Sequence, residues 1–417
     1  MSREIYVYMD RGPDSGSEHI GILRQNILRG KEVFSFTGER AWLEHGEFSM
    51  LDPELGQFEG TQYLRAGKRN FGLFLDSSPD RWGRMLIKRR ELIRARKENR
   101  KPSVLTEADF LLGVYDGNRI GALRFKTNPM GPFLDDDSEL ATPPWASIRD
   151  LEFASLQIEK EGSENEREYE KWVEMLVKPG SSLGGARPKA VITDKNDALW
   201  IAKFPGAGDE RDMGAWEKVL NDIAANAGIN VPETKLQKFS TKGHSFLSKR
   251  FDRNTKGARI HFASAMTLLG EEDGADFSSG VSYLDIALFI CRYGINVEKN
   301  LEELWRRVIF NIAVSNCDDH LRNHGFILKN RGWELSPCFD MNPEPDGSGL
   351  KLNISQDDNS LDFDLAMSVV RYFRIPPARA LEILRDVKNA VAGWRAAASR
   401  YNISKTEQEM TAGAFRY

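Results

Sequence analysis

Leu301, Leu304, Trp305, Val308, Ile309, Ile312 and Ala313 recur at i, i+3, i+4, i+7 and i+8, which predicts a helix buried in a core. That pattern runs straight into NCDDHLRNHGF, residues 316–326, where two aspartates, two histidines, an arginine and two asparagines occupy eleven positions. A loop this polar at the end of a packed helix has three readings: ordinary solvated turn chemistry, a metal site or a catalytic one.

His320 and His324 are four apart, a spacing that serves metals on a helix. The intervening Arg322 and the absence of cysteine pairs and of HExxH argue against a zinc hydrolase. Phosphoryl transfer asks for an aspartate to take the hydroxyl proton, an asparagine five positions later for a magnesium ion, and a further aspartate for the metal. Asp318 and Asn323 have that spacing. After them GFILK and WELSP, split by NRG, predict a tight hairpin that returns Asp340 beside Asn323, so that a base and two oxygen ligands share one edge, an arrangement suited to hard Mg²⁺.

Upstream, GSSLGGARPKAVITDKNDALWIAKF opens with a glycine-rich loop, enters a strand at 190–193, turns at DKND and returns as a strand over 198–204. Alternation places Trp200, Ala202 and Phe204 on one face and Leu199, Ile201 and Lys203 on the other. The loop is neither a Walker A sequence nor GxGxxG, but its backbone N–H groups can approach phosphates. A helix is predicted over 210–227 with Met213, Trp216, Leu220, Ile223, Ala224 and Ala227 as its stripe. Glu217 falls on that stripe, and a carboxylate there needs a partner, with Lys203 the nearest candidate in the chain. The order of loop, Lys, Glu, base, Asn and metal Asp is that of a bilobed kinase.

A chain of 417 residues exceeds what one core supports and predicts two or three lobes of roughly 150 residues each. With 41% hydrophobic residues, 29% charged and a net charge of −4, it reads as neither disordered nor polyanion-binding as a whole. MSREIYVYMD lacks an apolar leader core, no apolar run has the length of a membrane span, and Cys291, Cys317 and Cys338 form no CxxC pair. The expectation is a cytoplasmic protein with no membrane association and reduced thiols.

The first ~125 residues read as a mixed unit with a strand at EIYVYM and a turn at YDGN before another strand. TNPMGPFLDDDSELATPP, with four prolines and four acids, marks the candidate linker, placed at 127–147. Residues 81–101 carry ten Lys or Arg against two Glu, with Trp82, Met85, Leu86, Leu92 and Ile93 at helical spacing, which predicts a helix with a basic outer face open to an acidic partner or DNA. From about 260 the chain is mainly helical, and Pro376 and Pro377 predict a helix start.

SSLGGARPKA, WIAKFP, KRFDR, NCDDHLRNHGF and LSPCFDMNP, with SPDRWGR and GALRF nearer the N-terminus, resemble the HipA-like serine/threonine kinases, the toxin half of bacterial HipA/HipB toxin-antitoxin modules. The resemblance implies an α+β, bilobed protein-kinase-like fold with an N-terminal mixed α/β subdomain over 1–126, a kinase N-lobe over 148–255 and a mainly helical C-lobe over 256–417. It implies ATP and Mg²⁺ as cofactors, with Asp318 as catalytic aspartate and Asn323 and Asp340 as metal ligands. Gly184, Gly185, Ala186, Arg187, Pro188 and Lys189 match the loop over the phosphates, and Lys203 the lysine that contacts them. Arg187 and Pro188 depart from the family pattern, standing in place of a polar pair. Lys249, Arg250 and Phe251 fall at the adenine hinge, and His320, Leu321, Arg322 and Asn323, with Phe339 and Asp340, at the rest of the nucleotide site. Ser182 falls on the family's autophosphorylated serine. The implied partners are a small helical DNA-binding antitoxin (HipB-like), DNA indirectly through it, and a protein substrate, aminoacyl-tRNA synthetases being substrates of some relatives. Two other readings remain open: a small-molecule phosphotransferase, and a non-catalytic co-repressor acting with a DNA-binding antitoxin.

Overall fold

The computed structural model describes residues 2–10, 12, 16–44, 50–65, 67–134, 142–177, 185–329 and 332–417. The fold is α+β, and the chain divides into two compact units, Met1–Gly208 with Lys249–Ala263, and Asp209–Ser248 with Ser264–Tyr417.

In the first unit, β1 (Ser2–Asp10), β2 (Ser17–Leu28), β3 (Lys31–Gly38), β4 (Thr61–Tyr63) and β5 (Leu123–Lys126) form an antiparallel sheet in the order β4-β3-β2-β1-β5. The EIYVYM alternation sends Ile5, Val7 and Met9 into the core and leaves Tyr6 and Tyr8 half-exposed. The register slips between Val7 and Tyr8, opposite Gly21, where φ is +155° and an added Cβ would strike the Phe36 ring and the Thr37 carbonyl. Only glycine fits that bulge.

The basic segment is helix α1 (Arg81–Lys97), capped by Asp80, whose carboxylate accepts from Gly83 N–H. Trp82, Leu86, Ile87, Ile93 and Ala95 are its buried stripe. Leu92, expected on that stripe, is 46% exposed, because a helix step of 100° carries it past the edge of the face that Ile93 and Ile87 define. Part of the basic charge is spent internally: Arg84 pairs with Glu107, Arg89 donates to the Ile158 carbonyl at the end of α2 (Ile148–Ile158), and Lys97 pairs with Glu170 on α3 (Tyr169–Val177).

The segment around the expected linker is packed at both described ends. Leu134 bridges to Phe125, Thr193 N–H donates to the Pro143 carbonyl, and the Trp145 ring stands edge-on to Trp200. β6 (Lys189–Thr193) and β7 (Leu199–Lys203) form the expected hairpin, pairing Lys189 with Lys203 and Thr193 with Leu199. The Asp194 carboxylate ties its turn, accepting from Asn196 N–H, Ala198 N–H and Trp200 Nε1–H. Trp200, Ala202 and Phe204 are buried as the alternation required.

In the second unit, α4 (Met213–Asn226) starts at an Asp212 cap and buries Trp216, Leu220, Ile223 and Ala224, with Glu217 on the same face. β8 (Thr234–Gln237) pairs antiparallel with β9 (Ser245–Lys249). α5 (Tyr283–Tyr293) begins at a Ser282/Asp285 capping box. α6 (Val297–Val314) is the predicted buried helix, and all seven of its stripe residues are at most 1% exposed. The hairpin after the polar loop forms as β10 (Gly325–Lys329) and β11 (Gly332–Leu335). α7 (Pro377–Ala392) starts with Pro377 at its first position, where a missing N–H costs nothing. Among the described residues no helix is long and apolar enough to cross a membrane.

Candidate active site

Helix α6 ends at Ser315, whose φ of 48° and ψ of 49° turn the chain left-handed. The polar loop begins there, and its two adjacent aspartates part company. Asp319 points inward and is 4% exposed, its Oδ2 accepting from the Tyr283 hydroxyl at 2.7 Å, Asn311 Nδ2–H at 2.6 Å and His324 Nε2 at 2.7 Å. Burial pushes the Asp319 carboxyl up, but the charge and hydrogen bond of His324 and the Tyr283 hydrogen bond outweigh it and hold it below the usual carboxylate range. Burial and the same carboxylate drive the Tyr283 phenol well above its ordinary value. Asn316 extends the network, donating to Asn311 Oδ1 and accepting from Asn342 N–H.

Asp318 faces the other way. It is exposed, and its carboxylate has no hydrogen bond or ion pair among the described residues. Its carbonyl accepts from His320 N–H at 2.9 Å and from Asn323 Nδ2–H at 3.1 Å, which closes the five-residue interval into a ring. That bond orients the Asn323 amide with its oxygen left for a cation. The Leu321 and His324 carbonyls accept from Met266 and Ala265 N–H, which ties the far side of the loop to the core. Arg322 lies 3.5 Å from Asp273, and His320 is half-buried.

The histidine pair makes no metal centre. His324 Nε2 is committed to Asp319, and no group of three or more His, Cys, Asp or Glu among the described residues could hold an ion. Phe339 and Asp340 follow the β10–β11 hairpin, both half-buried, and Asp340 has a φ of 63°. Such backbone conformations in non-glycine residues concentrate at functional sites.

The remaining expected site residues belong to the first unit. Gly184 and Ser182 lie outside the described residues. Gly185, at φ +112°, and Ala186 are exposed, Arg187 is half-buried and Pro188 buried. Lys189 is 2% exposed, with its ammonium 2.6 Å from the Asp80 carboxylate and close beneath Gly185, where an added Cβ would lie 3.0 Å from Nζ. Lys203, directly across the hairpin, is half-buried. At the expected hinge, Lys249 lies 5.9 Å from the Trp200 ring and Phe251 is half-buried against Phe262. Arg250 is 5% exposed, its guanidinium spent on Asp252 and on the Asn118 and Arg119 carbonyls. Burial raises the Asp252 carboxyl, but Arg250 and Arg253 pull it well below its ordinary range.

Sequence reasoning missed Asp319, Tyr283, Asn311 and Asp80 as supports of these positions. The available signals were the Asp-Asp doublet and a polar Asn311 inside an otherwise apolar helix.

Comparisons with known proteins agree with this geometry. Over 188 residues the chain is 30% identical to a Haemophilus influenzae protein named "Putative kinase", covering 40% of this chain and 54% of that one. A Sinorhizobium fredii protein named "Putative kinase Y4mE" is 26% identical over 148 residues, covering 34% of this chain and 33% of that protein. The chain thus spans about half or less of the length of these curated relatives. Among solved structures, HipA from the Shewanella oneidensis HipA, HipB and operator DNA complex superposes with a TM-score of 0.67 at 16% identity, over 98% of this chain and 94% of that one, a likeness of fold. The HipA-like C-terminal domain family matches residues 181–394, just over half of the sequence and the span that holds both Lys203 and the Asp318 loop, and the chain belongs to that family.

Proposed function

We propose that the protein is an ATP- and Mg²⁺-dependent serine/threonine-protein kinase and the toxin half of a toxin-antitoxin pair. The observation that carries this reading is the split between adjacent aspartates: Asp319 is locked into the core, while Asp318 stands exposed at the head of a loop closed by Asn323. A carboxylate so placed accepts the proton of a serine or threonine hydroxyl as that oxygen bonds to the γ-phosphorus. The bond from the γ-phosphorus to the β,γ-bridging oxygen breaks, and ADP leaves with its electron pair.

The Asn323 amide oxygen and the Asp340 carboxylate are hard donors that suit Mg²⁺, and the lack of a closed cage of protein ligands among the described residues fits an ion whose shell is completed by water and phosphate oxygens. When bound, that ion neutralises phosphate charge. Lys203 is the proposed cation for the phosphates, Gly185 to Lys189 are the described part of the proposed phosphate loop, and Ser182 is the proposed site of autophosphorylation.

The division into an N-terminal subdomain (1–126), linker (127–147), N-lobe (148–255) and C-lobe (256–417) belongs to the same reading, as does a cytoplasmic location. The Shewanella neighbour is described in complex with HipB and operator DNA. By that analogy the proposed partner is a small helical DNA-binding antitoxin, with DNA reached through it, and the substrate a cellular protein such as an aminoacyl-tRNA synthetase.

Purified protein incubated with γ-labelled ATP and Mg²⁺ tests the reading. Label on protein serine or threonine, lost in Asp318→Asn and in excess EDTA, is the expected result. No transfer by the wild type, or equal transfer by the variant, overturns it.

A further inference from the structure

The turn that separates Asp318 from Asp319 is built on a residue that does not favour it. Ser315 sits in the left-handed region, where glycine is the ordinary choice after a helix and a side chain is strained. Its hydroxyl is fully buried and doubly engaged, donating to the Ala414 carbonyl at 2.7 Å and accepting from Arg416 Nη1–H. Arg416 N–H also donates to the Ala313 carbonyl at 2.7 Å, satisfying one of the orphaned acceptors at the end of α6.

Between those two contacts Phe415 is stacked on Trp394, ring centroids 4.2 Å apart and nearly parallel, and lies beside Trp216. Residues 414–416 are therefore held by an aromatic cluster of their own. They in turn hold the helix end and the hydroxyl of a strained turn three residues before Asp318.

We propose that Arg416 is a positioning residue for the Asp318 loop, acting through the left-handed turn at Ser315. The inference rests on Asp318 being the proton acceptor. Without the clamp nothing favours the left-handed state of Ser315, and the direction in which Asp318 leaves the helix is no longer set. A small displacement of a reacting group lowers turnover steeply without requiring a change in nucleotide affinity.

The experiment compares full-length wild type with Arg416→Ala, Ser315→Ala, Ser315→Gly and the Arg416→Ala/Ser315→Gly double variant. It reads kcat and KM for ATP, together with hydrogen exchange at the Cys317, His320 and Asn323 amides, each bonded within the turn or loop. Arg416→Ala and Ser315→Ala are each expected to lower kcat about tenfold, leave KM for ATP within about twofold and speed exchange at those amides. Glycine adopts the turn without help, so the double variant is expected to match Ser315→Gly alone in both readouts.

Unchanged kcat and exchange in Arg416→Ala overturns the proposal, and so does a double variant that folds but stays as impaired as Arg416→Ala. Should Arg416→Ala fail to fold, Ser315→Ala decides by the same two readouts. A wild type that transfers no phosphate defeats the kinase reading instead, while the exchange data still decide whether the clamp sets the turn.

Discussion

The carboxylate of Asp80 neutralises Lys189 inside the first unit: the two groups lie 2.6 Å apart, both side chains are at most 3% exposed, and Lys189 stands directly across the β6–β7 pair from Lys203. Two lysines opposite one another on a sheet repel. The Asp80 counter-charge relieves that repulsion and leaves Lys203 as the unburied cation of the two.

Removing one member of this pair leaves a buried charge alone, so Lys189→Met is expected to lower unfolding free energy by about 3–5 kcal/mol. Asp80→Asn/Lys189→Met, which removes both charges, is expected to recover most of that loss. Urea denaturation of the singles and the double closes the cycle. Additive losses in the double would show that the two side chains are not coupled.

The adjacent aspartates are expected to give opposite phenotypes. Asp318→Asn removes an exposed carboxylate and is expected to cut phosphoryl transfer by roughly 10²-fold to 10⁴-fold with no measurable change in thermal midpoint. Asp319→Asn leaves buried donors on Tyr283, Asn311 and His324 without their charged acceptor and is expected to cost about 3 kcal/mol of stability. Calorimetry beside an activity assay separates the two, and a wild-type midpoint in Asp319→Asn would refute the network.

Acid should expose the same network. The Asp319 carboxyl titrates below its ordinary range in the folded protein, so its stabilising contribution is present above the unfolded value, about pH 4, and is lost as pH falls through the folded one. Unfolding free energy measured from pH 5 downward is expected to fall more steeply in wild type than in Asp319→Asn. Parallel curves would contradict this.

Asp52 predicts the reverse dependence. Its carboxylate accepts from Leu73 and Glu54 N–H, yet burial, the largest influence, pushes the carboxyl up to about 6. A raised folded value means that the protonated form contributes stability in full below about pH 4 and loses it as pH rises through 6. Relative to Asp52→Asn, wild type is expected to lose about 2–3 kcal/mol between pH 4 and 7. A difference that stays flat over that range would show that Asp52 titrates normally.

The amino-acid sequence by itself determined what depends on local period and spacing. The apolar repeat from Leu301 to Ala313 became α6, the alternation around Trp200 became β7, NRG became the turn of a hairpin, and Pro377 opened a helix. Backbone geometry within a few residues sets each of these, so a short window of sequence contains the cause. The five-residue interval from Asp318 to Asn323 was legible for the same reason, since one hydrogen bond closes it. Tertiary structure alone decided which aspartate of the doublet turns inward, because that depends on Tyr283 and Asn311 lying behind the loop. It decided that Leu92 faces out, and that Arg250 spends its guanidinium on Asp252 and on carbonyls 131 and 132 positions away. It also joined Lys189 to Asp80 across 109 positions and Ser315 to Arg416 across 101. Such pairings are selected by burial, where a charge or hydroxyl leaving water must meet a partner, and no local pattern records which distant residue the fold will bring to it.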